Sequence, residues 1–161
     1  MLFVVFRAGG ERYALDASSV VEVVPLVRLT PLPHAPPSLR GLFRFRGTIV
    51  PAVDLSVLTG GAPAKDLMST RILVTRIAIG EGGRDRFVGL VAEGVTGTLL
   101  RPEGPSPTAG LSLPEAPWLS GVLQDGEEMV PCLSASRVIP AELLDLVGSP
   151  DALGAAARED A

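Results

Sequence analysis

The chain has 161 residues, enough for one domain or for two small barrels that share a core. Apolar residues make up 47% of it, which argues against global disorder, and aromatic residues only 4%, so the interior must be mainly aliphatic. The net charge of −4 argues against nonspecific binding to nucleic acid, because a phosphate backbone favours a basic protein face.

The first elements in chain order are short strands joined by turns, as 18 glycines and 15 prolines would favour. Leu2–Arg7 and Arg12–Leu15 flank a glycine pair and predict a hairpin. Because this start lacks a basic segment, it predicts a strand and not a signal peptide. Val20–Val24 predicts a β-branched strand interrupted by one charge, and the proline-rich stretch Leu29–Ser38 predicts a loop.

The segment Gly41–Leu55 is the most informative part of the chain. Its alternation places two phenylalanines on one face of a strand and Arg44 and Arg46 on the other. Gly47 can supply the positive φ of a tight reversal, and Pro51 predicts a sheet edge or a barrel corner. A hairpin with two arginines directed away from the core favours a docking surface over a reaction centre.

The remaining chain continues the pattern of short strands and turns. The predicted elements are a strand pair Arg71–Ile79 and Arg86–Ala92 across Gly80–Asp85, a further strand Val95–Leu100, a long loop Arg101–Pro117, a hairpin Leu119–Leu123 with Met129–Leu133, and a helix Ala141–Val147 after Pro140. No repeat of fixed period is evident. The total of nine or ten strands with one or two helices predicts an all-β, barrel-like domain.

The residues offer little for catalysis, for a cofactor or for a metal ion. His34 is the only histidine and Cys132 the only cysteine, whereas a metal site needs several ligands. No Gly-x-Ser-x-Gly elbow is present, and the glycines at 80–83 lie between strands and not before a helix. We therefore expect no enzyme, a buried inert thiol, and no membrane insertion, since no apolar run approaches the ~18 residues of a span.

Four segments together resemble one known family. They are FVVFRAGGERYALDASSVVEVV near the start, then PLPHAPPSLRGLFRFRGTIVPAVDL, RFVGLVAEGV and WLSGVLQDGEEMVPCL. The chain resembles the CheW family of adaptors from about residue 2 to residue 147, and the second segment is the most specific. Within the family it is most similar to adaptors of Wsp-type surface-sensing pathways, whose output is a diguanylate cyclase, through its opening, LVRLTPLPHAP and STRILV.

The resemblance implies a fold and a function. The fold is all-β: two interleaved five-stranded SH3-like β-barrels in a single domain over residues 1–147. The implied division is a barrel of 16–70, a barrel of 1–15 plus 71–140, a short helix 141–147 and a flexible tail 148–161. The implied function is a noncatalytic cytoplasmic adaptor at the membrane-associated receptor array. It would couple a chemoreceptor's cytoplasmic tip to the regulatory domain of a CheA-type histidine kinase, without cofactors.

The resemblance also implies site residues. A receptor-binding groove between the barrels would be lined by Val20, Glu22, Arg46, Val88, Leu90 and Val91, and the motif's glycines, in turns or at the kinase contact, would be Gly41 and Gly47. We hypothesise an ion pair between Glu22 and Arg46. The chain departs from the family pattern at Arg44–Gly47, at Glu93 and at Leu133–Arg137.

Two alternatives stay open from the residues. The chain can be a standalone SH3-like module that binds a peptide or ligand outside signalling arrays. Trp118, the only tryptophan, can pack in the core or anchor a partner.

Overall fold

The computed structural model describes residues 1–79, 84–106 and 113–147. Within them the strands are β1 (Leu2–Ala8), β2 (Glu11–Asp16), β3 (Val20–Pro25), β4 (Leu39–Phe45), β5 (Thr48–Asp54), β6 (Arg71–Ile79), β7 (Arg84–Leu100), β8 (Leu119–Asp125) and β9 (Glu128–Leu133). The helices in the same residues are α1 (Leu55–Leu58), α2 (Ala135–Val138) and α3 (Ala141–Val147), with a 3₁₀ turn at Ala17–Ser19. The all-β prediction, the predicted hairpins and the final helix are confirmed.

The long strand β7 joins two five-stranded sheets. Its first half pairs antiparallel with β6 and parallel with β5, which places it in the order β3-β6-β7-β5-β4. Its second half pairs with β1, in the order β7-β1-β2-β9-β8. We call the first sheet the first barrel and the second sheet the second barrel.

Each sheet is closed by the chain segment that follows one of its strands. After β3, Thr30 exchanges two backbone hydrogen bonds of 2.9 and 2.8 Å with Leu42 on β4. After β7, Ser106 does the same with Val122 on β8, at 2.9 and 3.0 Å. The edge strands of each sheet are thereby linked, which makes both sheets barrels.

The pairing corrects the predicted division of the two barrels. Strand β6 pairs with β3 along Val20–Pro25 and therefore belongs to the first barrel, not to the second. The predicted separate strand Val95–Leu100 is the second half of β7, because no turn interrupts residues 84–100. The tail 148–161 and residues 80–83 of the predicted turn lie outside the described residues.

One buried cluster spans both barrels, and each barrel has a further buried cluster of its own. A single cluster of buried side chains includes Leu73 and Leu90 of the first barrel, Phe6 and Leu133 of the second, and Leu143 of α3. All five are at most 3% exposed. Because this core is continuous, we expect the barrels to unfold together in one transition.

The two barrels contain a repeat that the sequence reasoning missed. Residues 39–58, LRGLFRFRGTIVPAVDLSVL, form β4, β5 and α1, and residues 119–138, LSGVLQDGEEMVPCLSASRV, form β8, β9 and α2. The two segments align without a gap, and each has a bulge just before its first glycine, at Gly41 and at Gly121. Few side chains are identical, so periodicity alone did not reveal the repeat.

The prediction of an edge from Pro51 holds only at Pro51 itself, which precedes the part of β5 that pairs with β7. Strand β5 is not an edge strand, because it lies between β4 and β7. Pro51 is opposite Leu42, whose backbone N–H and C=O are both bonded to Thr30 on the other side. Pairing with β7 begins only at Ala52, so the missing proline N–H leaves no ladder bond unmade.

We expect Gly41→Ala to lower the free energy of unfolding by about 2–4 kcal/mol. A Cβ at Gly41 would lie 2.5 Å from the Thr30 carbonyl oxygen, and the φ of 148° also disfavours a side chain. Gly47→Ala is the comparison: its φ is 76° but no atom lies within 4 Å of the added Cβ. That variant should lose only about 1 kcal/mol in urea denaturation. Equal losses of unfolding free energy in the two variants would show that the close approach of Thr30 to Gly41 does not limit the side chain there.

Candidate partner-binding surface

Glu22 and Arg46 are brought together where the first barrel closes. Glu22 follows a bulge in β3, and Arg46 and Gly47 form the two-residue turn between β4 and β5 with φ values of 50° and 76°. This is the pattern of a type I′ turn. Arg46 Nη2 lies 3.9 Å from Glu22 Oε2, and the side chains are 58% and 48% exposed. Such a pair contributes at most about 1 kcal/mol, so its main effect is to orient the two side chains.

Two aromatic rings lie beside this pair, the buried Phe45 and the half-buried Phe87. The Arg46 guanidinium lies 4.9 Å from the ring centroid of Phe45, and the Phe45 and Phe87 centroids are 5.4 Å apart, edge to face. On the far side, the Arg76 guanidinium lies 5.5 Å from the Phe87 centroid. We call these five residues the arginine–phenylalanine strip: Glu22, Arg46, Phe45, Phe87 and Arg76. It presents one acidic group and two basic groups around a half-buried ring, an arrangement suited to binding and not to bond-making chemistry.

Phe87 and Arg76 were not among the predicted site residues. They are neighbours because β6 and β7 pair in the register that sets Arg76 opposite Phe87. The sequence predicted that these two strands pair, but not the register, since the turn between them had no defined length. Counting residues back from that turn along both strands would have been the way to find that Arg76 faces Phe87.

The structure contradicts three of the predicted groove residues. Val88, Leu90 and Val91 are all 0% exposed. They lie on β7 between β5 and β6, where both faces of the strand are covered by core side chains. No atom of these residues is accessible to a partner, so they belong to the core beneath the surface. Val20 is half-buried against the shared core, and Glu22 and Arg46 remain exposed.

The motif's two glycines have different structural roles. Gly41 is buried and allows the backbone of Thr30 to approach, so it offers nothing to a kinase directly. Gly47 is exposed and supplies the second positive φ of the turn that carries Arg46, as the sequence predicted.

A buried carboxylate anchors the connector after the hairpin. Asp54 is 0% exposed; its Oδ1 accepts hydrogen bonds from the N–H groups of Ser56 (2.9 Å) and Val57 (3.4 Å) and caps α1. Its Oδ2 accepts from Ala64 N at 2.9 Å and lies 3.8 Å from Arg40 Nη1. The carboxylate therefore links the end of β5 to the loop that leads towards β6.

Glu93, one of the departures from the family pattern, serves the same connector. Its Oε1 accepts a hydrogen bond of 2.6 Å from the backbone N–H of Lys65. We assign it a structural role on this contact.

The residues considered for chemistry or anchoring are mostly structural. Trp118 is half-buried against the shared core and lies edge to face with Tyr13, at 5.9 Å between centroids. His34 is exposed in the loop after β3. In residues 1–79, 84–106 and 113–147, no group of three or more His, Cys, Asp or Glu side chains is placed to hold a metal ion.

Cys132 is buried, as predicted, and we expect it to resist alkylation. It is 1% exposed, and burial raises the pKa of its thiol to about 11. At pH 8 almost no thiolate is present, and the thiolate is the reactive form. Iodoacetamide should therefore modify the chain only in urea, as judged by mass spectrometry. Rapid modification of the folded chain at pH 8 would show that the β9 region opens.

No helix in the described part of the chain is long and apolar enough to cross a membrane.

Comparisons with known proteins agree with this architecture. The CheW-like domain family model matches residues 2–143. The chain is 28% identical to the chemotaxis protein CheW of Rhizobium meliloti over 86% of this chain and 87% of that protein. It is 30% identical to the protein FrzA of Myxococcus xanthus over 85% of this chain and 84% of that protein.

A solved structure gives the same result for the fold. The scaffolding protein TtCheW of Thermoanaerobacter tengcongensis superposes with a TM-score of 0.73, at 23% identity, over 87% of this chain and 88% of that one. With the family match over residues 2–143, the chain belongs to the CheW-like domain family.

Proposed function

We propose that this chain is a noncatalytic cytoplasmic adaptor that couples a chemoreceptor to a CheA-type histidine kinase. The observation that carries the proposal is the exposed Glu22–Arg46 pair beside Phe45 and Phe87, on a barrel of a CheW-like domain. The pair presents opposite charges, one on the hairpin turn between β4 and β5 and the other on β3. A partner binds there when its shape and charges match this surface. The signal that the pathway produces then depends on which proteins the chain holds together.

The receptor side of the proposal uses the arginine–phenylalanine strip. A receptor's helical hairpin tip would lie across Phe87 with its apolar side chains and meet Arg46 and Glu22 with its charged ones. Arg46 Nη2 and Glu22 Oε2 lie 3.9 Å apart, so their attraction favours the paired arrangement before the partner arrives. Preorganisation of this kind lowers the entropy lost on binding.

The kinase side uses a separate apolar surface on the first barrel. Val27, Leu67 and Met68 are 44%, 50% and 95% exposed. Leu67 and Val27 line one shallow depression together with Arg28 and Asp66. We assign this surface to the kinase's regulatory domain, leaving the strip free for the receptor.

We expect Met68→Asp to abolish capture of the kinase regulatory domain while receptor-tip capture stays within about twofold, because a carboxylate at an apolar contact must be desolvated. The side chain is almost fully exposed, so the unfolding midpoint should not change. Lys65→Asp, on the same connector, is the matched control. Loss of receptor capture instead of kinase capture would reverse the assignment.

The experiment that tests the proposal as a whole is a three-component sedimentation measurement. The full chain is mixed with a chemoreceptor cytoplasmic fragment and a CheA-type regulatory domain, singly and together. The proposal expects two binary complexes and one ternary complex. Binding of neither protein would overturn it.

We further propose that the pathway served is of the Wsp type, with a diguanylate cyclase as its output. The support is the likeness of the opening, LVRLTPLPHAP and STRILV to adaptors of such pathways. Deletion of the gene should then change the cellular level of cyclic di-GMP. A motility defect with unchanged cyclic di-GMP would contradict this part of the proposal.

A further inference from the structure

A small pocket of about 140 Å³ opens on the outside of the first barrel, where the barrel closes. It lies between the segment that follows β3 and the hairpin of β4 and β5. The six residues that line it are Arg28, Thr30, Leu42, Phe43, Arg44 and Ile49. None of these six side chains is acidic, so the pocket is basic although the chain as a whole is acidic.

Backbone pairing holds the walls of this pocket in place. Thr30 exchanges hydrogen bonds of 2.9 and 2.8 Å with Leu42, and Arg44 is opposite Ile49 in the pairing of β4 with β5. Phe43 belongs to a core cluster, so the alternation of β4 places Leu42 and Arg44 on the outer face. Leu42 is nevertheless only 4% exposed and belongs to none of the three core clusters. The pocket is therefore formed by the barrel's own closure and does not need a ligand to shape it.

The pocket carries two positive charges without a counter-ion. Within the described residues, neither Arg28 nor Arg44 takes part in an ion pair, and both are exposed. The neighbouring Arg40, by contrast, lies within 4 Å of both Asp54 and Asp66. Arg44 belongs to the stretch in which the chain departs from the family pattern, so this pair of charges is a feature of this chain.

We propose that this pocket binds the phosphate group of a small phosphorylated ligand, with Arg28 and Arg44 each donating hydrogen bonds to its oxygens. A phosphate monoester carries a charge of about −1.5 to −2 at pH 7 and offers three acceptor oxygens. The planar fork of a guanidinium matches two such oxygens, and the Thr30 hydroxyl adds a donor. Two arginines with no acidic neighbour in the lining favour this double charge over the single charge of a carboxylate.

The size of the pocket limits how much of the ligand it can hold. Pockets that enclose a whole drug-sized molecule measure about 300–1,000 Å³. A volume of about 140 Å³ admits the phosphate group and leaves the rest of the ligand in solvent. Inorganic phosphate, a sugar phosphate and a nucleotide share the chemistry that is recognised. Arg28 also lines the depression assigned to the kinase, so a bound ligand would lie beside that surface.

The test is an NMR titration of the ¹⁵N-labelled full chain with inorganic phosphate, glycerol 3-phosphate and AMP, at pH 7.5 and constant ionic strength. We expect saturable amide shifts at Thr30, Leu42 and Arg44, and at least tenfold weaker binding by the R28Q/R44Q variant. Arg137→Gln removes an exposed arginine of the second barrel that has no ion pair in the described residues; it is the control and should bind within twofold of the unaltered chain. Thermal unfolding of each variant shows that it is folded.

Three outcomes would overturn the proposal. These are equal affinity of R28Q/R44Q and the unaltered chain, shifts that grow without saturation, and equal binding of sodium acetate, which would mean a site for any anion. The probe that binds most tightly shows whether the pocket takes free phosphate or a phosphate ester. The titration uses this chain alone, so its failure leaves the adaptor function standing, and failure to bind a receptor or a kinase leaves the pocket standing.

Discussion

Asp54→Ala is expected to lower the free energy of unfolding by about 3–4 kcal/mol, the range for a buried charged group whose partners lose their acceptor. The substitution leaves the N–H groups of Ser56 and Ala64 without the oxygens that now accept from them at 2.9 Å. It also leaves the Arg40 guanidinium without a buried counter-ion 3.8 Å away. This one substitution therefore removes both the cap of α1 and the hydrogen bond that anchors the connector towards β6.

Asp66→Ala is the matched control for this prediction. Asp66 binds the same arginine, with Arg40 Nη2 3.0 Å from its Oδ1, but its side chain is 71% exposed. Removing it should cost less than about 0.5 kcal/mol. Urea denaturation followed by circular dichroism measures both variants. Similar losses for Asp54 and Asp66 would show that the buried carboxylate does not organise the hairpin and its connector.

Arg46→Asn is expected to weaken receptor-fragment binding by at least about tenfold, the effect of removing a charged anchor from an interface. Stability should be unchanged or slightly higher. Residue 46 has a φ of 50°, in the left-handed region that asparagine adopts more readily than arginine. The exposed Glu22 pair that is lost contributes little to folding.

Arg44→Gln is the comparison on the same hairpin. Arg44 is exposed on β4 and, within the described residues, belongs to no ion pair. Its loss should change receptor binding by less than about threefold, because an exposed charge at the rim contributes little. Isothermal titration calorimetry of both variants decides the question. A destabilised Arg46→Asn whose folded fraction binds normally would assign Arg46 to the fold and not to the receptor.

The hairpins could be predicted from the sequence because their signals are local. The glycine pair after β1 adopts φ values of 59° and 83°, and Gly47 one of 76°, as such turns require. Alternation placed the phenylalanines of β4 inside and Arg44 outside, which burial confirms. These features depend only on neighbouring residues.

Residues that meet only through long-range pairing could not be predicted in the same way. A run of apolar residues such as Val88 to Val91 looks the same whether one or both faces of the strand are covered. The resemblance implied that those residues line the groove, but core side chains cover both faces of this part of β7. Phe87 and Arg76 were missed because only the register of β6 against β7 makes them neighbours, and the sequence does not show that register.

The repeat was missed because its signal lies in backbone geometry more than in side chains. Gly41 and Gly121 each stand where another backbone comes too close for a Cβ, with a carbonyl oxygen at 2.5 and 2.7 Å. Pro51 and Pro131 occupy matching places on β5 and β9. Once the two hairpins are compared in space, these four residues define the shared motif.

We propose that the chain controls a kinase by holding it to a receptor, which binds the arginine–phenylalanine strip. The most direct test measures kinase autophosphorylation on vesicles that carry the full-length receptor, with no added chain, with the unaltered chain and with Arg46→Asn. We expect the unaltered chain alone to make kinase activity respond to receptor stimulus. Equal responses in all three conditions would contradict the account.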